Sequence, residues 1–453
     1  MVTPSHTRRW VFVIFAFALV MRLPVVLAVL AEPGRAIISS DCQQYLGLAR
    51  NLLAHGVFSL SDGPPFVPEI IRTPGYPVFL LSILSWCDGD CLVSIVALQA
   101  LLGALIAPGV MLLGTRLIGE RAGRLAGLLY AIAPTPAIMG GFAQTETLFS
   151  ALLIAGTLVL VARRHIWAAV ASGVILGIAV LTRPIGLLAL PLFATYPLLD
   201  RHFREIWRRS AALLAGAALI VLPWMARNAY HYGVFKLSTI SDGNLYYYNV
   251  AGTEARRRDI PIDEARSRLA EELSVWPGSD SQMPIVRAGE FARHLVWQHP
   301  LWFAWANGVD AINGFRPGFS FMFYLVGDNS NAEAFSQAMM RNDMGILSLQ
   351  PLIILAVAAY MAVFQGLLLV LCVLGIISLL WKREWNGVLL LVAIPGWFLY
   401  MPGIASNARF FAPVVPLLCI LASGGIVRLV LPFFDKLVAA LKTKRRGQSP
   451  SSS

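Results

Sequence analysis

The stretch Ser39–Pro77, SSDCQQYLGLARNLLAHGVFSLSDGPPFVPEIIRTPGYP, follows the first strongly apolar run directly, so it lies at a membrane surface. Ser40 with Gln43 three residues later reads as a capping box, which places Asp41 in the first turn of a helix. Tyr45, Leu48, Ala49, Leu52 and Leu53 repeat at helical spacing, and Gly56 supplies a C-terminal stop. The expected element is an amphipathic helix lying on the bilayer, with a carboxylate at its N-terminal end. The helix dipole and nearby amides favour the ionised form of Asp41. A second motif, Arg72-Thr-Pro-Gly-Tyr-Pro77, returns the chain to the membrane.

Composition sets the solvent. The chain has 453 residues, of which 57% are hydrophobic and 13% charged. Soluble domains carry about 25% charged residues, so this is an integral membrane protein. The net charge of +11 does not indicate nucleic acid. The basic residues sit in short clusters beside apolar runs, as the positive-inside rule requires. The five cysteines form no metal pattern; Cys87 and Cys91 flank a short turn, where a disulfide and two free thiols are both compatible with the spacing.

The apolar runs give a polytopic all-α chain of about ten transmembrane helices with both termini inside. Arg8 and Arg9 precede an uncleaved first span, Trp10 to Ala31, interrupted at Arg22. The run from Thr73 to Trp86 is too short to cross and reads as a re-entrant or surface helix. Leu347 to Trp381 is too long for one upright span and reads as one span plus a surface helix or as two spans; two would put the basic tail outside, which argues for one. The divisions are a transmembrane core, 1–230, with a candidate catalytic outer loop, 32–90; a long helical extracytoplasmic loop, 231–345; C-terminal transmembrane helices, 346–435; and a basic cytoplasmic tail, 436–453. Tyr246–Tyr248 with Trp297, Trp302 and Trp305 suggest an aromatic shelf at headgroup level.

Four arginines break the charge rule. Arg72, Arg183, Arg227 and Arg409 fall at the outer membrane edge, with Asp41 and Glu146 at the same depth. Ionisable groups there are costly and usually face a functional cavity. Arginine's planar fork suits a phosphate, so these four are the expected donor-phosphate ligands, and Asp41 and Glu146 the expected catalytic carboxylates. Each residue also has a plainer reading: Asp41 as a helix-start charge, Glu146 as a cap or arginine partner, each arginine as a snorkelling anchor. His55, His294 and His299 are scattered and read as interfacial. Arg22 is assigned no chemistry.

In this order the chain resembles the GT-C glycosyltransferases, in particular protein O-mannosyltransferases and bacterial lipid A or lipopolysaccharide-core sugar transferases. The resemblance rests on Met21-Arg22-Leu23-Pro24, on Asp41 with the helix to Gly56, and on Arg72–Pro77. It continues through Thr145-Glu146-Thr-Leu-Phe149, Leu181-Thr-Arg-Pro184, Pro223-Trp-x-x-Arg-Asn228 and Arg409-Phe-x-x-Pro-x-x-Pro416. It implies a cell (inner) membrane enzyme with its active site on the extracytoplasmic face. Such an enzyme moves a sugar, with inversion, from a polyprenyl-phosphate donor to a glycolipid, glycan or protein hydroxyl. In the family the first outer loop carries an essential acid, matched by Asp41, and the span 3–4 turn carries another, matched by Glu146. The family often has a second acid beside the first; here the neighbours are Ser40 and Cys42, so no cofactor is assigned and a divalent metal ion stays open. The expected partners are the lipid-linked donor, membrane lipids and the acceptor, and no nucleic acid. A flippase or a polysaccharide polymerase or ligase is the alternative.

Overall fold

Breaks in the apolar runs decide where the helices start and stop. The computed structural model describes residues 4–199, 203–278, 283–315, 349–403 and 408–435, and helix is the dominant element throughout them. Pro24 has no N–H to offer Val20, so the first run divides into α1 (Pro4–Val20) and α2 (Leu23–Ala31). The outer-loop helix α3 (Ser40–His55) ends on Gly56 in the left-handed conformation, and α4 (Gly75–Leu84) follows the Arg-Thr-Pro turn. The core then continues through α5 (Leu92–Leu117), α6 (Glu120–Ile132), α7 (Pro134–Met139), α8 (Glu146–Ala162), α9 (Ile166–Thr182), α10 (Leu190–Thr195) and α11 (Phe203–Tyr232).

Among the described residues, five helical stretches are long and apolar enough to cross a membrane: Thr7–Ala31, Leu92–Leu117, Trp207–Tyr232, Leu355–Trp381 and Val415–Asp435. Shorter apolar helices, including α8 and α9, lie between them. The protein is therefore a helical membrane protein. Close approach replaces the hydrophobic effect as the packing device, as expected where lipid is as apolar as the side chains. The α9–α11 pair shows it: a Cβ on Gly173 would fall 2.0 Å from the Leu213 carbonyl oxygen, and one on Gly216 2.3 Å from that of Val170.

The long loop folds as a small helical layer: α12 (Ile240–Asn244), α13 (Ala251–Arg258), α14 (Ile262–Val275), α15 (Pro284–Gln298) and α16 (Pro300–Ala311). Tyr246, Val250, Leu269, Phe291 and Ala292 form its core. Its buried acids among the described residues are paired: Asp242 with Lys236 and Arg293, Glu254 with Arg257 and Arg258, and Asp310 with Arg256. The chain then enters α17 (Leu349–Trp381), turns through α18 (Trp385–Val388) into α19 (Ile394–Tyr400), and closes with α20 (Ala408–Phe411) and α21 (Val415–Gly425). Asn249 ties the loop layer to this part, donating to Asn307 Oδ1 at 3.0 Å and to the Met401 carbonyl at 3.2 Å.

Several expectations change. The residue capping α3 is Ser39, and no side-chain cap bond forms, so the capping box is absent. Ser39 Oγ instead takes a bond from Gln144 Nε2 at 3.2 Å, a long-range partner outcompeting the local one. The apolar run ending at Trp381 is one helix from Leu349 onward. Cys87 and Cys91 are joined by a disulfide. Tyr246 is buried against Phe291, so only Tyr247 and Tyr248 remain exposed with Trp297, Trp302 and Trp305. The basic tail 436–453, most of the stretch leading to α17, and the turn at Ser406 lie outside the described residues.

The helix α4 sits where the Arg72–Pro77 motif meets the end of α9. A Cβ on Gly75 would come within 2.7 Å of backbone atoms of Leu181 and Thr182. Backbone cannot yield as a side chain can, so Gly75→Ala is expected to destabilise the fold by about 1–3 kcal/mol. Thermal unfolding in detergent checks this; an unchanged midpoint would contradict the contact.

Candidate active site

The outer-loop helix places Asp41 in its first turn, facing the bundle. Glu146 opens α8, Arg183 follows the last residue of α9, Arg409 lies in α20, and Arg72 precedes α4. These five side chains meet. Arg72 Nη2 donates to Asp41 Oδ1, and Arg409 Nη1 donates to Asp41 Oδ2 at 2.7 Å. Arg409 Nε also donates to Glu146 Oε1, which takes a second bond from a third guanidinium, that of Arg183, through Nη1 at 2.5 Å. A single guanidinium thus bridges carboxylates 105 residues apart, with another arginine behind each.

The electrostatics favour charge. Three guanidiniums against two carboxylates leave one positive charge. Glu146 is buried, whereas Asp41 keeps a quarter of its side-chain surface exposed and is the open edge of the cluster. Burial alone would raise the Asp41 pKa; Arg409 and Arg72 outweigh it and hold the carboxyl below its ordinary value. Both Asp41 oxygens and Glu146 Oε1 are taken up by arginine N–H groups, while Glu146 Oε2 is buried with no partner. Among the described residues, no group of three or more His, Cys, Asp and Glu side chains is placed to hold a metal ion.

Arg227 stands apart from this cluster. Its guanidinium donates to the Glu69 carbonyl at 2.5 Å and stacks on Trp224, 4.7 Å from the ring centroid. It therefore grips the 58–71 loop that delivers Arg72, helped by Tyr232 on the Pro68 carbonyl and Ser238 on that of Ile71. Arg22 is also separate: it is buried, donates to the Ala18 carbonyl at 2.8 Å and lies over Tyr130. His55 packs on Phe66 and His294 beside Trp276, in different places.

Several supporting residues carried little sequence signal. Gln44 Oε1 accepts from Arg72 Nε at 2.7 Å, and Tyr45 lies under the same guanidinium. Phe410 lies against Arg183, whose Cζ is 5.2 Å from the ring centroid. Gln99 is fully buried in α5; it accepts from Tyr76 and donates to the carbonyls of Gly140 and Phe142 at 3.0 and 2.7 Å. That bond set joins the Arg72–Pro77 motif to the turn that presents Glu146. Gln99 could have been singled out as a lone amide in the apolar run Leu92–Leu113.

Asp41 gives a pH signature. A carboxyl whose native pKa is depressed adds stability above its unfolded pKa of about 3.9 and loses it as the pH falls through the native value. The stability gap between wild type and Asp41→Asn should stay flat from about pH 8 to about pH 5 and narrow below about pH 4. Thermal unfolding across that range measures it; a gap closing between about pH 7 and about pH 5 would mean that the pKa is raised.

Residues 73–230 match the family model described as dolichyl-phosphate-mannose-protein mannosyltransferase. No curated protein matches the sequence. Among solved structures, the archaeal oligosaccharyltransferase AglB from Archaeoglobus fulgidus, in complex with an inhibitory peptide and a dolichol-phosphate, superposes with a TM-score of 0.50 at 14% identity, over 98% of this chain and 53% of that one. The apo form of the A. fulgidus oligosaccharyltransferase gives 0.51 at 16% identity with the same coverage. ArnT from Cupriavidus metallidurans in the apo state gives 0.41 at 19% identity, over 92% of this chain and 78% of that one. The chain spans about half the length of the oligosaccharyltransferase. It shares the fold of the A. fulgidus oligosaccharyltransferase, and its residues 73–230 match the protein-mannosyltransferase family model.

Proposed function

We propose that the chain is a glycosyltransferase that moves a sugar from a polyprenyl-phosphate donor to an acceptor hydroxyl at the extracytoplasmic face of the cell membrane. The acceptor is a glycolipid, a glycan or a protein. The observation that carries this reading is the Arg409 bridge between Asp41 and Glu146, backed by Arg72 and Arg183. The net positive cluster suits a phosphate monoester leaving group. The solved oligosaccharyltransferase complex, which holds a dolichol-phosphate, supports a lipid phosphate in this fold. The basic side chains Arg116 and Arg209 bond helix-end carbonyls at the end of α8 away from Glu146, and by the positive-inside rule this supports a cytoplasmic reading of that end and an extracytoplasmic reading of the Asp41 end. The Cys87–Cys91 disulfide beside α4 agrees with that orientation.

The reaction is a single in-line displacement with inversion. The acceptor oxygen bonds to the anomeric carbon as the bond from that carbon to the phosphate oxygen breaks. The electron pair stays on the phosphate, where Arg72 and Arg409 meet it, and the hydroxyl proton passes to Asp41. A carboxylate held by two guanidiniums is a weak base. Donor phosphate competes for those same guanidiniums, so its binding frees Asp41 and raises its basicity when it is needed. Glu146 stays paired to Arg183 and holds Arg409 at the bridge, and its unpartnered Oε2 offers a seat for a sugar hydroxyl. Arg227 acts through the loop that carries Arg72. Three of the four carboxylate oxygens are already engaged by arginines, which favours transfer without a divalent metal ion over transfer with one.

Purified protein given a panel of polyprenyl-phosphate sugars, with product mass as readout, tests the proposal. Transfer should persist in the presence of a chelator. Asp41→Asn should lower turnover by about 10²–10⁴-fold in protein that still unfolds cooperatively. Near-normal turnover in that variant would remove Asp41 from the chemistry.

A further inference from the structure

At the end of the bundle away from Asp41, the two C-terminal membrane helices part around a cavity of about 380 Å³, lined by Ser378, Trp381, Lys382, Arg428 and Leu429. The geometry that opens it is local. The helices α17 and α21 touch backbone to backbone at Gly375 and Gly425, where an added Cβ would fall 2.2 Å from the Leu421 carbonyl oxygen and 2.7 Å from that of Leu371. Immediately beyond Gly425 the chain enters a π-helical turn, Ile426–Val430, which carries Arg428. Such turns widen a helix by one residue and recur at functional sites. The cavity is at the opposite level from the carboxylates. Gln99, beside the Glu146 turn, and Ile118, whose carbonyl faces Arg428 at 3.5 Å, are separated by about 28 Å of helix rise.

The lining chemistry is that of an anion seat at a lipid surface. Arg428 is held in place by both oxygens of Glu384, at 2.7 and 3.1 Å, so that pair is neutral. Lys382 and Arg383, next in the chain, are exposed and add positive charge with no ion-pair partner among the described residues. The Ser378 hydroxyl is buried and has no hydrogen-bond partner, although serine in an apolar helix ordinarily bonds a carbonyl one turn back. The exposed rings of Trp381, Trp385, Phe433 and Phe434 surround the same end, as aromatic side chains do at headgroup depth. A basic cavity between membrane helices, belted by aromatics, matches a phospholipid headgroup in charge and depth.

We infer that this cavity seats the phosphate of an anionic phospholipid, with Lys382 supplying the selecting charge and Ser378 a hydroxyl donor. The site is independent of the transfer chemistry at Asp41. Native mass spectrometry of the full chain, released from vesicles of equal phosphatidylglycerol and phosphatidylcholine, tests it. Wild type should retain phosphatidylglycerol in preference. Lys382→Glu, at an exposed position that does not threaten folding, should reduce that preference at least about fivefold, the worth of one surface cation near an anionic headgroup. Inorganic phosphate should fail to displace the lipid. Equal retention of the two lipids, an unchanged preference in Lys382→Glu, or retention of inorganic phosphate with neither lipid bound would overturn the assignment.

Discussion

A charge taken out of water must find its opposite, and in this chain that requirement is concentrated on Arg409. Its guanidinium reaches Asp41 on one side and Glu146 on the other. Glu146 is wholly buried, so removing its partners would leave an uncompensated carboxylate at a cost of about 3–5 kcal/mol. The bridge therefore couples three distant parts of the chain: the outer-loop helix, the start of α8 and the segment before α21. The site is therefore assembled only where the three segments meet.

The rest of the architecture can be read as support for that bridge. Glycines at the α9–α11 contact let two helices meet closely, and α9 ends at Arg183. Gln99 fixes the turn before Glu146 by its two carbonyls and ties it to Tyr76. Arg227 fixes the loop before Arg72 by stacking and by backbone bonds. Amides and aromatic faces thus do the positioning, while the arginines and acids are left to face one another. The same ions that stabilise the empty site are the ones a phosphate would recruit, so binding exchanges one set of charge pairs for another.

Much of this was legible in the sequence, for a physical reason. Apolar length and basic clusters report the solvent on each side, so the helical membrane class and the order of the apolar segments followed directly. Charges on the wrong side of that pattern had to be explained, and all five that converge, Asp41, Glu146, Arg72, Arg183 and Arg409, were singled out on that ground. The same rule misled for Arg227, because an arginine at the membrane edge satisfies its charge as well by stacking on Trp224 and bonding a loop carbonyl as by meeting a phosphate. The capping box failed because the helix caps at Ser39, one residue before the Ser40 that the box requires, and the Ser39 hydroxyl is engaged by Gln144 from far away in sequence. Gln44 and Phe410 were not visible because their roles depend on three-dimensional neighbours, and an amide or a ring has no spacing rule that announces them; Gln99 was legible only as a lone amide in an apolar run, without its partners.

The account stands on the Asp41–Arg409 contact being a working ion pair in the membrane. A double-mutant cycle with Asp41→Asn, Arg409→Gln and both together, read by thermal unfolding in lipid nanodiscs, measures that pair directly. Contacting charges in one network should give a coupling of about 1 kcal/mol or more, the double variant being less damaged than the sum of the singles. Additivity within about 0.3–0.5 kcal/mol would mean that the two side chains do not share a site.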